Sequence, residues 1–129
     1  MTLTKSELEI MGVIWAAGRP LSRSEIIALS VNPSWKQSSI HILLNGLLKK
    51  GAIVESGYVK RGKSLSRLFA AKISGEDYYA STVFATGNQN ELPMLFSALI
   101  RSEELTPELI AELEAMLAQR KKELQEQHV

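Results

Sequence analysis

Apolar residues recur at intervals of three and four positions through most of the chain, which is the spacing of one face of an α-helix. The clearest stripe lies in the segment 36–50 and consists of Ile40, Leu43, Leu44, Leu47 and Leu48. A glycine follows the two lysines that close this segment, and glycine is a natural stop for a helix. The segment 36–50 is therefore predicted to be one amphipathic helix.

Residues that favour helix ends predict further helices on both sides of this one. Hydroxyl side chains followed by an acidic residue or proline predict starts at Thr4, Ser22 or Ser24, Ser74, and Thr106. Glycine, asparagine and proline predict ends at Gly18, Asn32-Pro33 and Gly87-Asn88. Two further stripes place the last helices at 92–102 and 107–124.

The pattern changes after the central helix. Two short runs, Ala52–Val59 and Ser64–Ala71, are rich in β-branched, aromatic and leucine residues and flank the basic segment Lys60-Arg61-Gly62-Lys63. This arrangement predicts a β-hairpin with a basic tip, although the alternation of apolar and polar residues is imperfect. Three helices followed by a two-stranded hairpin form a winged helix-turn-helix.

The predicted fold is therefore mainly α with a small β-hairpin. A winged helix-turn-helix head over 1–72 precedes a C-terminal helical dimerisation domain over 73–129. The last two helices have little partner surface within so short a tail, and pairing of two tails across a two-fold axis would bury their stripes. The predicted dimer contacts are Leu92, Leu95, Phe96, Leu99, Ile100, Leu109, Ile110, Leu113, Met116 and Leu117.

Charge divides along the same line. Residues 1–72 carry 11 lysines and arginines against 4 glutamates, a balance of +7, whereas residues 73–129 carry 4 against 10 acidic residues, a balance of −6. A basic half joined to an acidic half is typical of a head that binds a polyanion and a tail with another task. Chance clustering of solvated surface charge would give the same split.

The side of helix 36–50 opposite its leucines is free of acidic residues, and no Asp or Glu occurs between positions 26 and 54. Hydroxyl, amide and imidazole groups can hydrogen bond to base edges, and an apolar side chain can contact a thymine methyl group. An ordinary solvated helix face would also be polar, but such faces usually mix both signs of charge. We therefore predict that this helix reads the DNA major groove with Ser38, Ser39, His41, Ile42 and Asn45.

Contacts to the DNA backbone need cations or hydrogen-bond donors rather than a particular sequence of bases. Basic residues at the margins of the helix and in the hairpin, together with two serines before the second helix, meet this need. The predicted backbone contacts are Ser22, Ser24, Lys36, Lys49, Lys60, Arg61 and Lys63.

The sequence has few residues that would indicate catalysis or metal binding. The chain has no cysteine, which excludes disulfides and thiolate zinc sites, and its two histidines, His41 and His128, belong to no cluster with metal-ligand spacing. No glycine-rich phosphate loop or Ser-His-Asp set stands out, so no catalytic residue, metal or cofactor is predicted and the protein is not expected to be an enzyme. No leader-like start or apolar run of about 18 residues occurs, and a cytoplasmic location is expected.

Two segments resemble a known family. Leu3–Trp15 with Gly18 resembles the E-x-x-x-M-x-x-x-W opening of the penicillinase, methicillin-resistance and copper-transport repressors, the BlaI/MecI/CopY type. Trp35 and Ser38–Gly51 resemble the recognition helix of that family, and Leu68–Ala71 with Ser74 and Tyr78 resembles its second wing strand and next helix. The resemblance covers about residues 3–80. It implies a homodimeric repressor that binds a pseudo-palindromic operator, with helix 36–50 in the major groove and the wing, 58–66, on the backbone.

The chain departs from the family at positions that would contact DNA. Family members often have threonine where this chain has Ser39 and Ile42, a lysine-type residue at His41 and arginine at Gly46. A glycine in mid-helix costs about 1 kcal/mol relative to alanine unless close packing or DNA approach requires it. The cysteine cluster of the copper-responsive branch is absent, and no residue pair in 84–104 matches the cleavage point of the antibiotic-responsive branch. The releasing signal, an inactivating protease or an unknown effector, stays open.

Two other functions fit the same pattern. A winged helix can serve as a protein-interaction module or anti-repressor, in which the basic head meets an acidic partner. Alternatively, the protein is a regulator that senses a small ligand in a pocket between head and tail, near Tyr58, Tyr78, Tyr79 and Phe84, although these aromatic residues also suit an ordinary core.

Overall fold

The computed structural model of the chain describes residues 1–84 and 92–127. The predicted helix end at Gly87-Asn88 and the second histidine, His128, lie outside these residues. In chain order the elements are α1 (Lys5–Ala17), β1 (Leu21–Ser22), α2 (Arg23–Leu29), a 3-10 turn (Gln37–Ser39), α3 (Ile40–Lys50), β2 (Ile53–Arg61), β3 (Ser64–Ala71), α4 (Gly75–Phe84), α5 (Leu92–Ile100) and α6 (Pro107–Glu126). The predicted fold class, mainly α with a winged helix-turn-helix head, is confirmed.

The helix ends follow from local hydrogen bonds that the sequence predicts. At the start of α1 the Thr4 hydroxyl accepts from the Glu7 N–H at 3.2 Å, and the Glu7 carboxylate accepts from the Thr4 N–H at 2.9 Å. Gly18 and Gly51 end α1 and α3 with φ of 65° and 76°, a left-handed conformation that favours glycine. Thr106 caps α6 through the Leu109 N–H.

The sheet has one more strand than the predicted hairpin. β1 pairs with β3 antiparallel, Leu21 opposite Phe69 and Ser22 opposite Leu68, so the strand order is β1-β3-β2. Two residues are too few to show a periodicity of two, and β1 therefore left no signal in the sequence. Between Glu55 and Tyr58 the ladder of β2 and β3 shifts register at Gly57, whose φ is 116°. This bulge explains the imperfect alternation of the hairpin.

The turn of the hairpin is also shorter than predicted. Arg61 pairs with Ser64, so Lys60 and Arg61 belong to β2 and only Gly62 and Lys63 form the turn. Gly62 has a φ of 60°, as a tight two-residue turn requires. The basic residues of the wing thus lie on a strand end and a turn rather than on a four-residue loop.

One apolar core holds the helices and the sheet of this region together. The α3 stripe faces it, with Ile40, Leu44 and Leu47 buried and Leu43 and Leu48 half-buried. The buried apolar residues of the core are Leu3, Ile10, Met11, Ile14, Leu21, Ile26, Trp35, Ile40, Leu44, Leu47, Ala52, Ile53, Phe69 and Tyr78. Burial of this stripe fixes which side of α3 faces away from the core.

The chain divides into two compact units, Met1–Ala85 and Thr86–Val129. α4 belongs to the first, although the predicted domain boundary at 72/73 assigned it to the tail. The Trp15 indole N–H donates to the Ile73 carbonyl at 2.9 Å, and the Trp15 and Tyr78 ring centroids lie 6.0 Å apart, which ties α4 to α1. In the second unit, α5 and α6 contain no buried residue. Among the described residues, no helix has both the length and the apolarity to cross a membrane.

Candidate nucleic-acid interface

The predicted recognition helix begins with a 3-10 turn rather than an α-helical one. The Ser39 N–H donates to the Lys36 carbonyl at 2.8 Å, and no side chain caps the following α-helix. The loop before the turn is held by Glu9, whose carboxylate accepts from the Ser34 N–H and hydroxyl at 3.0 and 2.9 Å. The predicted helix 36–50 is therefore corrected at its start, because unsatisfied N-terminal groups of a helix commonly tighten into a 3-10 turn.

The side of α3 away from the core exposes nearly all of the predicted base-reading residues. Ser38, His41 and Asn45 are exposed, and Ser39 is half-buried. Ile42 is 74% exposed and is therefore accessible to an apolar partner outside the chain. No acidic residue lies on this helix.

One predicted backbone contact is wrong. Ser22 is 0% exposed, and its hydroxyl is already occupied because it accepts from the Glu25 N–H at 3.3 Å and from Arg61 Nη2 at 3.3 Å. It caps α2 and joins that helix to the wing, and it therefore cannot contact a phosphate directly. Ser24, two residues later in the chain, is exposed.

The predicted cations of the interface are accessible. Lys36 and Lys49 flank α3, and Lys60, Arg61 and Lys63 lie on the wing, and all five side chains are exposed. Of these five cations, Arg61 donates a hydrogen bond to another side chain of the described residues, the Ser22 hydroxyl. Contact of these five residues with DNA stays a prediction.

Two arginines that sequence reasoning missed lie between these groups. The Arg23 guanidinium contacts the His41 ring, Nη1 against Nε2. Arg67 pairs with Glu55 at 2.6 Å and lies over the Phe69 ring, 5.2 Å from its centroid. Arg23 is adjacent to the predicted serines and was detectable, but the position of Arg67 depends on the hairpin register.

These side chains surround a cavity of about 180 Å³ between α2, α3 and β3. Its polar lining consists of Arg23, Ser24, His41, Ser66 and Arg67, and its floor includes Leu44 and Phe69. The lining contains two guanidinium groups and no carboxylate.

An ion pair between a buried carboxylate and an exposed lysine joins α1 to α3. Glu7 is 4% exposed, and its Oε1 accepts from Lys50 Nζ at 2.5 Å. Burial raises the pKa of Glu7, but the hydrogen bonds from Lys50 and Thr4 outweigh burial and hold this pKa below its usual value of 4.5. A Cβ atom at Gly46 would lie 2.8 Å from Glu7 Oε2. The mid-helix glycine is thus explained by close packing against Glu7.

The aromatic residues considered for a ligand pocket are only partly brought together. Tyr78 and Tyr79 lie on α4 with ring centroids 5.4 Å apart, and both approach Trp15. Tyr58 is exposed on β2, and the side chain of Phe84 lies outside the described residues. Over 1–84 and 92–127 no group of three or more His, Asp or Glu side chains could hold a metal ion.

The predicted dimer contacts of the tail are accessible to solvent. Leu92 is half-buried, and the other nine are exposed in the chain taken alone, namely Leu95, Phe96, Leu99, Ile100, Leu109, Ile110, Leu113, Met116 and Leu117. Leu124 adds one more exposed position near the end of α6.

Comparison with known proteins decides the family. The family model described as penicillinase repressor matches residues 3–119. The chain belongs to the penicillinase repressor family. The resemblance noted over residues 3–80 is confirmed by a match that continues into α6. This family is one of DNA-binding transcriptional regulators.

Individual relatives are more distant. An uncharacterized 16.5 kDa protein encoded in the ptsI 3′ region of Latilactobacillus sakei is 39% identical over 49 residues, which are 38% of this chain and 34% of that protein. The chain therefore matches only about a third of the length of this relative. MarR family regulators from Silicibacter pomeroyi and Neisseria meningitidis align with TM-scores of 0.45 and 0.41 and are each 14% identical. These alignments cover 92% and 97% of this chain, and 70% and 81% of the two neighbours.

Proposed function

We propose that this member of the penicillinase repressor family is a transcriptional repressor that binds a pseudo-palindromic operator as a homodimer. α3 with its preceding turn enters the major groove, where Ser38, Ser39, His41, Ile42 and Asn45 contact base edges. The wing lies along the phosphate backbone through Lys60, Arg61 and Lys63.

The observation that carries this proposal is the solvent-facing side of α3. It combines an apolar side chain, Ile42, at 74% exposure with hydroxyl, imidazole and amide groups and has no acidic residue. A solvated surface gains nothing from an exposed isoleucine, whereas a thymine methyl group is an apolar partner for it in the major groove. Exposed cations lie on both sides of this face, as recognition of a polyanion requires.

The tail supports the homodimer. The stripes of α5 and α6 are exposed in the single chain, and a second copy of the same tail would cover them at a two-fold axis. Two heads so joined would place their recognition helices about one DNA turn, ~34 Å, or a near multiple of it apart. Tethering raises the effective concentration of the second head, so opening or cleaving the tail would release the operator.

Selection of bound fragments from genomic DNA tests base reading and identifies the operator. We expect enrichment of a two-fold symmetric sequence, and a combined Ser38→Ala, His41→Ala and Ile42→Ala variant should lose that preference while remaining dimeric. A matched control changes Lys60, Arg61 and Lys63 to Gln, which should weaken binding to all duplexes alike and lower the salt dependence. Equal enrichment by the wild type and the α3 variant would reject the assigned reading face.

Sedimentation tests the dimer. Leu99→Lys combined with Leu117→Lys should give monomers at micromolar concentration, because each change puts a charge into the proposed apolar contact. Met94→Lys is the control, since Met94 is 73% exposed on α5 and lies opposite the predicted stripe. A wild-type protein that sediments as a monomer would contradict the homodimer.

The dependence of binding on salt separates this function from that of a protein-interaction module. A DNA-binding head gives a steep negative slope of log K against log salt concentration on random duplex DNA, because cations on the protein release counterions. A slope near zero would favour a protein partner.

A further inference from the structure

We propose that the cavity between α2, α3 and β3 receives one phosphate group of the bound DNA backbone, with Arg23 and Arg67 as its ligands. This inference rests on the proposed function and assigns one backbone contact to a specific site. Neither arginine is among the residues predicted from the sequence to touch DNA.

The chemistry of the cavity matches a phosphate diester. Its lining combines two guanidinium groups, two serine hydroxyls and one imidazole, and contains no carboxylate. The planar fork of arginine donates two parallel hydrogen bonds to phosphate oxygens, and serine hydroxyls donate further ones. The walls at Leu44 and Phe69 are apolar, which strengthens attraction between the guanidinium groups and an anion.

The charge of Arg23 is uncompensated. Its side-chain contact is with the His41 ring at Nε2, and within residues 1–84 and 92–127 it has no carboxylate partner. A guanidinium at such a position is held in place yet retains donors for an incoming anion. His41 thereby belongs to the cavity and to the exposed side of α3 at once.

Arg67 does have a carboxylate partner, but an exposed one. Glu55 and Arg67 are about equally accessible, and exposed ion pairs of this kind contribute little free energy. Arg67 Nη1 contacts Glu55, and the Phe69 ring supports the guanidinium plane from one side. The remaining donors of the fork are available to the cavity.

The surroundings favour DNA over a free anion as the source of the phosphate. The cavity lies beside the proposed DNA contacts, because its lining includes His41 from the reading side of α3, Ser24 from the start of α2 and Ser66 from the wing strand β3. Arg61 hydrogen bonds to Ser22 and so connects the wing to this same end of α2. A strand of DNA lying along α3 and the wing would pass this cavity.

Binding of selected and random duplexes by full-length variants tests the proposal. Arg23→Gln and Arg67→Gln should each weaken binding to both duplexes about tenfold per half-site, since hydrogen bonds to charged groups are of this strength. Because the dimer loses the contact in both half-sites, the salt slope should fall by about 1.8, about 0.9 for each. Arg23→Lys should restore part of the affinity and the full slope. Two control variants should bind DNA with affinities within about twofold of the wild type. Glu55→Gln breaks the ion pair but keeps Arg67, and Lys72→Gln removes an exposed cation beyond the end of β3.

A methylphosphonate scan of the selected duplex locates the phosphate. One neutral linkage in each half-site should weaken the wild type about tenfold per half-site but leave the double variant Arg23→Gln with Arg67→Gln nearly unaffected, because that variant has lost both guanidinium ligands of the phosphate. Titration with inorganic phosphate tests whether the cavity binds a free anion. The NMR signals of the arginine side chains and of the His41 ring report the binding.

The outcomes separate the two proposals. A wild type that binds no duplex would overturn the proposed function. A wild type that binds while both Gln variants bind like Lys72→Gln would overturn the cavity proposal alone, and phosphate-induced shifts in that case would mark a site for a free anion. Loss in Glu55→Gln equal to that in Arg67→Gln would assign the effect to the fold of the wing and would also overturn it.

Discussion

The two compact units of this chain treat their apolar side chains in opposite ways. The first, Met1–Ala85, buries residues from α1 to α4 and from all three strands in one core. The second, Thr86–Val129, has clear apolar stripes on α5 and α6 and buries none of their residues. The same helical periodicity therefore signals a completed core in one unit and an uncovered surface in the other. The difference teaches that periodicity alone does not show whether an apolar stripe is buried within its own chain, and it leaves the stripes of α5 and α6 as the surface for the proposed second copy.

The largest expected contrast is between equivalent leucines of the two units. Leu47→Ala removes a fully buried side chain and should lower the free energy of unfolding of the first unit by about 2–5 kcal/mol. Leu117→Ala, at 69% exposure, should leave that value unchanged and raise the dimer dissociation constant instead. Urea unfolding followed by tryptophan fluorescence measures the first quantity cleanly, because both tryptophans, Trp15 and Trp35, lie in the first unit. Equal losses of stability would break the comparison.

A second contrast concerns ion pairs. Glu7→Gln should lower the stability of the first unit at neutral pH by about 1–2 kcal/mol, since Lys50 and Thr4 lose a buried charged acceptor. The tail counterpart is Glu123→Gln, in an exposed pair with Arg120 on α6, and it should leave the unfolding of the first unit unchanged.

The contribution of Glu7 also has a defined pH dependence. Its pKa is lower in the folded protein than its usual value of 4.5, so its stabilisation is complete above that pH and declines as the pH falls through the folded pKa. The difference between wild type and Glu7→Gln should therefore be constant near neutral pH and shrink below pH 4.5. A difference that grows on acidification would contradict this assignment. The lowered pKa of Glu25 affects both proteins alike and cancels.

Helix caps provide a smaller contrast. Ser22→Ala should cost the first unit about 1 kcal/mol, because the hydroxyl caps α2 and also accepts from Arg61. Thr106→Ala removes the cap of α6 and should reduce helix content measured by circular dichroism without changing the unfolding of the first unit. Loss of stability in the first unit from both changes would show that the units unfold together.

The smallest effect distinguishes two glycines of the first unit. Gly12→Ala should stabilise α1 by up to about 1 kcal/mol, since nothing lies within 4 Å of the added methyl group. Gly46→Ala should stabilise less or destabilise, because its methyl group would approach Glu7 Oε2. In a Glu7→Ala background the two substitutions should converge, and persistence of the difference in thermal unfolding would refute the packing explanation for Gly46.

Much of the head and of its candidate interface followed from local pattern. The stripe of α3, the capping residues of α1 and α6 and the glycine stops are local hydrogen-bond and periodicity signals, and they predicted elements whose ends the structure reproduces closely. The exposed side of α3 followed from the same stripe, because burial of Ile40, Leu44 and Leu47 turns Ser38, His41 and Ile42 outward.

Only the tertiary structure decided which polar groups meet. Strand β1 exists because Leu21 and Ser22 pair with a strand more than forty residues later, and this pairing buried a serine that looked like a phosphate contact. The hairpin bulge sets the register that brings Arg67 near Arg23 and His41, and the approach of α1 to α3 places Glu7 Oε2 where a side chain at position 46 would begin. Contacts between segments far apart in sequence leave no local periodicity, whereas helices and their caps are built from neighbours. That is why the sequence determined where α3 lies and which of its sides is exposed, and the fold determined which side chains surround that side.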